Sequence, residues 1–119
     1  MTEIAFTADH RLATYGTLAP GRPNYAQVEP IGGTWRTGHV RGRLIDAGWG
    51  ANVGYPGMIA DQDGDPIAVH ILEAVALPDH WARLDAFEGP GYRRITVPAT
   101  LEDGSIIDVS IYEALPSES

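Results

Sequence analysis

Glu102-Asp103-Gly104-Ser105 lies between two alternating runs, Tyr92 to Leu101 and Ile106 to Ala114. Asp-Gly between such runs is a strong local hairpin signal, because the tight turn needs backbone angles those residues reach cheaply. Working outward, Pro78 to Phe87 is the one convincing helix. Pro78 and Asp79 suit its first turn, and Trp81, Leu84 and Phe87 recur on one side. Gly89, Pro90 and Gly91 then stop it abruptly.

Upstream, the remaining segments read as strands and loops. Residues 1–10 are polar without a clear period, which predicts a loosely held start before a first strand at about Leu12 to Tyr15. Pro20, Pro23 and Pro30 spoil any long helix between Ala19 and Gly33, leaving at most a short turn around Asn24 to Val28. Thr34 to Ile45 alternates, with Arg36, His39, Arg41 and Arg43 on a solvated strand face. Asp46 to Asn52 is a loop within a glycine-rich stretch, 46–54, and Tyr55 to Ala60 a short strand led by Pro56. The acidic turn Asp61 to Asp65, followed by the strand-like run Pro66 to Ala76, predicts a hairpin. Pro116 onward reads as a polar tail. The sum is α+β, mostly β: a small closed or half-closed barrel with a helix packed on it, which protects strand edges.

At 119 residues the chain is expected to form a single domain, 1–119. Sixteen acidic against eight basic side chains give a net charge of −8, which argues against nucleic acid or an anionic membrane surface as a partner. With no cysteine, disulfides, thiolate metal sites and a Cys nucleophile are excluded. No apolar run has the length of a membrane span, and no secretory pattern opens the sequence, so a cytoplasmic protein is the expectation.

Two stretches carry candidate chemistry. Tyr15-Gly16-Thr17-Leu18 follows a short strand, and a glycine turn there offers backbone N–H groups and close approach to a carboxylate or oxyanion. An ordinary strand end is the competing reading, favoured for the turn taken alone. Glu88 ends the helix beside Phe87, on the wrong end for the helix dipole. Apolar neighbours there would raise its pKa toward the range where an acid both takes and returns a proton; the competing reading is a plain surface acid. Asp85 reads as a capping or hydrogen-bonding residue. Tyr92 and Arg94 fall on one face of the next strand and Arg93 on the other, where they could bind a substrate carboxylate or hold Glu88; a strand face with ordinary charge is the competing reading. His10, His39, His70 and His80 are scattered without metal-site spacing, and no serine sits in a nucleophile elbow.

Taken in order, these residues resemble the gamma-glutamyl cyclotransferase-like family. Tyr15-Gly16-Thr17-Leu18 is similar to its first signature, and Leu84-Asp85-Ala86-Phe87-Glu88-Gly89 with Tyr92-Arg93-Arg94 to its second. Val40 to Asp46 and Tyr55-Pro56-Gly57 resemble the segments between, so that the likeness runs over about residues 11 to 114. The resemblance implies a small mixed β-barrel with one or two flanking helices and a pocket at one end. It implies an acyltransferase or lyase that cyclises a gamma-glutamyl amine or peptide to 5-oxoproline and frees the amine. Glu88 would be the proton acceptor, and Tyr15, Gly16, Thr17, Leu18, Tyr92 and Arg94 would bind the small-molecule gamma-glutamyl substrate. The substrate's own α-amine is the nucleophile, so no metal or cofactor is called for. A monomer or weak homodimer is expected. The alternative is a non-catalytic small-molecule or partner-binding module of the same fold.

Overall fold

Alternation sorts each strand's side chains onto two faces, and this fold has one core inside the sheet and a second outside it. The computed structural model describes residues 6–16, 18, 20–22, 24–45 and 57–115. Its strands are β1 (Arg11–Thr14), β2 (Thr34–Ile45), β3 (Gly57–Ala60), β4 (Asp65–Glu73), β5 (Tyr92–Leu101) and β6 (Ile106–Ala114), with one α-helix, α1 (Trp81–Glu88). They run in the order β3-β2-β4-β1-β6-β5, and β2 also pairs with β5. Five strands therefore close into a barrel, and β3 rides on β2. The β1–β6 pairing is parallel, while β1–β4 and β5–β6 are antiparallel, which makes the barrel mixed, as the family resemblance implies.

Ala13, Val40, Met58, Ile71, Val109 and Ile111 fill the barrel. Their chain neighbours Leu12, Leu72 and Tyr112 point the other way, into a second core with Trp81 and Leu84 of α1. Closure depends on Gly38. It stands opposite Leu101 of β5, and a Cβ there would lie 2.5 Å from the Thr100 carbonyl oxygen, so only glycine lets the two backbones meet.

The C-terminal hairpin forms as read, in register from Tyr92 opposite Ala114 to Thr100 opposite Ile106. The hairpin expected at Asp61 to Asp65 does not. Both β3 and β4 run antiparallel to β2, one on each side of it, so the acidic turn carries the chain across β2 instead of folding it back. Asp61 N–H donates to Arg41 O (3.1 Å) at the crossing.

The start of the described chain is also better held than its polarity suggests. Ala8–His10 forms a 3-10 turn, whose Ala8 carbonyl accepts from Ser110 Oγ (2.7 Å) and whose Asp9 carbonyl accepts from the Trp81 indole (2.9 Å). The connection after β1 holds two 3-10 turns, Tyr25–Gln27 and Glu29–Ile31, and Val28 and Ile31 reach the outer core. The predicted helix divides into a 3-10 turn, Leu77–His80, and then α1. On β2, Arg36 pairs with Glu73, Arg43 with Asp61, and Arg41 donates to Gly64 O, so the basic face is spent within the fold. The loop at Asp46 to Asn52, the glycine-rich stretch 46–54, Tyr55-Pro56 and the tail from Pro116 lie outside the described residues.

Candidate functional site

The end of α1 decides where the acid goes. Trp81, Leu84 and Glu88 are its buried residues, spaced three and four apart, so the carboxylate continues an apolar stripe facing the sheet. Phe87, expected on that stripe, is only half-buried beside it. Glu88 is 8% exposed. Gly89, at φ 79°, breaks the helix immediately afterwards, and its N–H caps Asp85 O at 3.0 Å. Burying an acid on a core face is costly unless it is paired or hydrogen-bonded there.

Around it stand tyrosines from three other segments. Tyr15, just past β1, donates from Oη to Tyr112 O (2.7 Å) and accepts from Met58 N–H (3.2 Å). Burial drives its phenol pKa up, the Met58 N–H opposes this, and the nearby Tyr92, Glu88 and Glu113 raise it further. Tyr112 is raised as well, first by burial and then by Asp85, with Glu88 adding to it. Glu88 thus stands close enough to both phenols to disfavour a second negative charge. The first-signature tyrosine, the helix-end acid and Tyr92 belong to one end of the barrel.

The remaining candidates divide. Leu18 is 2% exposed and packs in the outer core, so its side chain serves the fold. Gly16 does not need glycine's special angles: its φ is outside the left-handed region, and a Cβ there would meet no atom within 4 Å. What Gly16 leaves is open space. Its N–H is directed at Thr14 Oγ1 at a long 3.4 Å. Thr17 lies outside the described residues. Arg94 forks onto Asp85, Nε to Oδ1 at 3.0 Å and Nη2 to Oδ2 at 3.3 Å, and its guanidinium lies 4.2 Å from the Trp81 ring centre. Tyr112 Oη donates to Asp85 Oδ1, the oxygen that also accepts from Arg94 Nε, at 2.6 Å. Asp85 therefore has the hydrogen-bonding role read for it, and Arg94 ties the helix carrying Glu88 to β5.

Sequence reasoning missed Tyr112 and Glu113. Glu113 follows Val109 and Ile111 on the inward face of β6, and an acid in an inward row was the signal available. No group of three or more His, Asp or Glu suited to a metal ion occurs among the described residues. A cavity of about 470 Å³ opens where β2 and β5 part beyond His39 and Thr100, lined by Val40, Ala60, Ile95 and Val97 among others, and it holds none of the residues named for the chemistry. No described helix is long and apolar enough to cross a membrane.

Comparison with known proteins bears on the fold. Residues 12–119 match the family described as gamma-glutamyl cyclotransferase, AIG2-like. The fold is similar to an AIG2-like protein from Mus musculus (TM-score 0.67, 21% identity, covering 92% of this chain and 79% of that one). It is also similar to a uropathogenic E. coli-specific protein (TM-score 0.65, 27% identity, 89% and 79%) and to YkqA from Bacillus subtilis (TM-score 0.67, 24% identity, 88% of this chain). The chain spans 35% of the length of YkqA. No curated protein matches the sequence.

Proposed function

Since the chain belongs to the gamma-glutamyl cyclotransferase, AIG2-like family, we propose that it cyclises a gamma-glutamyl amide to 5-oxoproline and releases the amine. The observation that carries this reading is Glu88, an acid buried on the core face of α1 whose charge bears on Tyr15 and Tyr112.

The neutral α-amine of the substrate attacks its own γ-carbonyl carbon. A ring C–N bond forms and the bond to the leaving nitrogen breaks, with no net gain or loss of protons. Glu88 takes the proton from the attacking amine and returns it to the leaving nitrogen. The turn at Tyr15, Gly16, Thr17 and Leu18 holds the glutamyl part, in the open space beside Gly16 and with backbone N–H groups toward the oxygen that gains charge. Tyr92 lines the same end, and Arg94 acts through Asp85 by fixing α1. Because nucleophile and electrophile belong to one molecule, orientation and proton transfer suffice.

Release of 5-oxoproline from a panel of gamma-glutamyl amines and peptides tests the reading. Wild type is expected to release it. Glu88→Gln should lose on the order of 10²–10⁴-fold in kcat while melting like wild type. Equal release by both proteins removes Glu88 from the mechanism; silence of wild type across the panel favours a binding module.

A further inference from the structure

Glu113 takes no part in those steps, yet at 6% exposure it is as buried as Glu88. Its Oε1 accepts from Arg93, Nε at 2.9 Å and Nη2 at 2.8 Å, and its Oε2 accepts from Ala60 N–H at 2.8 Å. Two residues back along β3, Met58 N–H donates to Tyr15 Oη. In the β2–β3 register, Gly42 stands opposite Ala60 and Leu44 opposite Met58. Residues two apart on a strand direct their N–H groups to the same edge, and here both go to side chains from outside β2. That edge would ordinarily be satisfied by carbonyls of another strand. Tyr15 and Glu113 supply the acceptors instead.

The pair makes a two-point attachment. β3 is paired along its other edge with β2, and Tyr15 Oη alone would tie its free edge toward β6 at one point; Glu113 provides the second point and is itself braced by Arg93. Only a carboxylate can do this, since both of its oxygens must accept, whereas an amide would turn a donor toward the guanidinium. We infer that Glu113 is a positioning residue: by latching β3 to β6 it fixes Tyr15, and with it the wall that holds the glutamyl group. This rests on the proposed function insofar as Tyr15 borders the substrate.

Amide hydrogen exchange and steady-state kinetics on Glu113→Gln test it together. Exchange at Met58 and Ala60 should quicken by roughly ten-fold or more as the latch loosens. KM should rise by a similar factor, with kcat within about two-fold of wild type and its pH profile unmoved, because the reacting atoms are not touched. Arg93→Gln, at a side chain 64% exposed, should fold and should move the same quantities less. Wild-type exchange at both amides in both variants overturns the proposal, whatever the activity. So does a fall in kcat with KM unmoved, which marks a lost fraction of folded enzyme. Exchange needs no turnover, so an inactive wild type would count against the Glu88 reading and leave the latch to be judged by exchange and by affinity for 5-oxoproline.

Discussion

The barrel is closed in two ways. Where β2 meets β5, backbone meets backbone, and Gly38 makes room for the Thr100 carbonyl. Where β3 faces β6, the ladder gives out and side chains bridge the gap: Tyr15 from Tyr112 O to Met58 N, and Glu113 from Arg93 to Ala60 N. The first seam tolerates no side chain at position 38. The second consists of ionisable and hydrogen-bonding groups, and Glu88 stands beside it. A seam made of side chains can be altered residue by residue without unmaking the fold, which suits the end of the barrel where the chemistry is proposed.

The largest effect on the fold should come from the backbone seam. Gly38→Val sets branched carbon against a carbonyl that the β2–β5 pairing holds in place, and should cost about 3 kcal/mol or more, or prevent folding. Thermal denaturation checks it. A melting curve like that of wild type would show that the closure yields easily, and the contrast between the seams would be lost.

Tyr15→Phe tests the other seam more gently. It strips Met58 N–H of its acceptor and Tyr112 O of its donor, and should cost about 1–3 kcal/mol in urea unfolding. If stability is unchanged, Tyr15 Oη is not part of the closure.

The smallest effect is in alkaline stability. All eight basic side chains are arginines, so the side chains that titrate near pH 10 are the tyrosines. Tyr15 has its pKa raised from 10.0 by burial, so above pH 10 the unfolded chain releases a proton that the folded chain keeps. Folding stability is whole below that pH and falls as pH rises through it, by up to about 1.4 kcal/mol per pH unit for this group. Tyr112 acts in the same direction. Unfolding curves from pH 9 to 11 should therefore fall more steeply for wild type than for Tyr15→Phe, and parallel curves would refute it.

The strands that form the backbone seam were legible, but their pairing at Gly38 was not. Alternation and Asp103-Gly104 mark β5 and β6 with their bounds as observed, and Thr34 to Ile45 marks β2. The crossing at Asp61 was misread because an acidic turn between strands looks the same locally whether the chain folds back or passes over a neighbour. Glu88 was legible as a candidate through its place at the helix end, but its burial depends on the 81–84–88 stripe meeting the sheet, which only packing decides. Glu113 was hidden for a similar reason: its partners Ala60 and Arg93 lie on β3 and β5, far off in sequence. Local pattern announces elements, whereas a bridge between elements belongs to the tertiary register.

The central claim is that the side-chain seam is the working end, with one acid moving protons and the other holding the wall. Parallel kcat and KM values for 5-oxoproline release by wild type, Glu88→Gln and Glu113→Gln test it most directly. The account predicts that Glu88→Gln loses kcat by on the order of 10²-fold or more, while Glu113→Gln keeps kcat and raises KM. Loss of kcat in Glu113→Gln together with retained turnover in Glu88→Gln would contradict it.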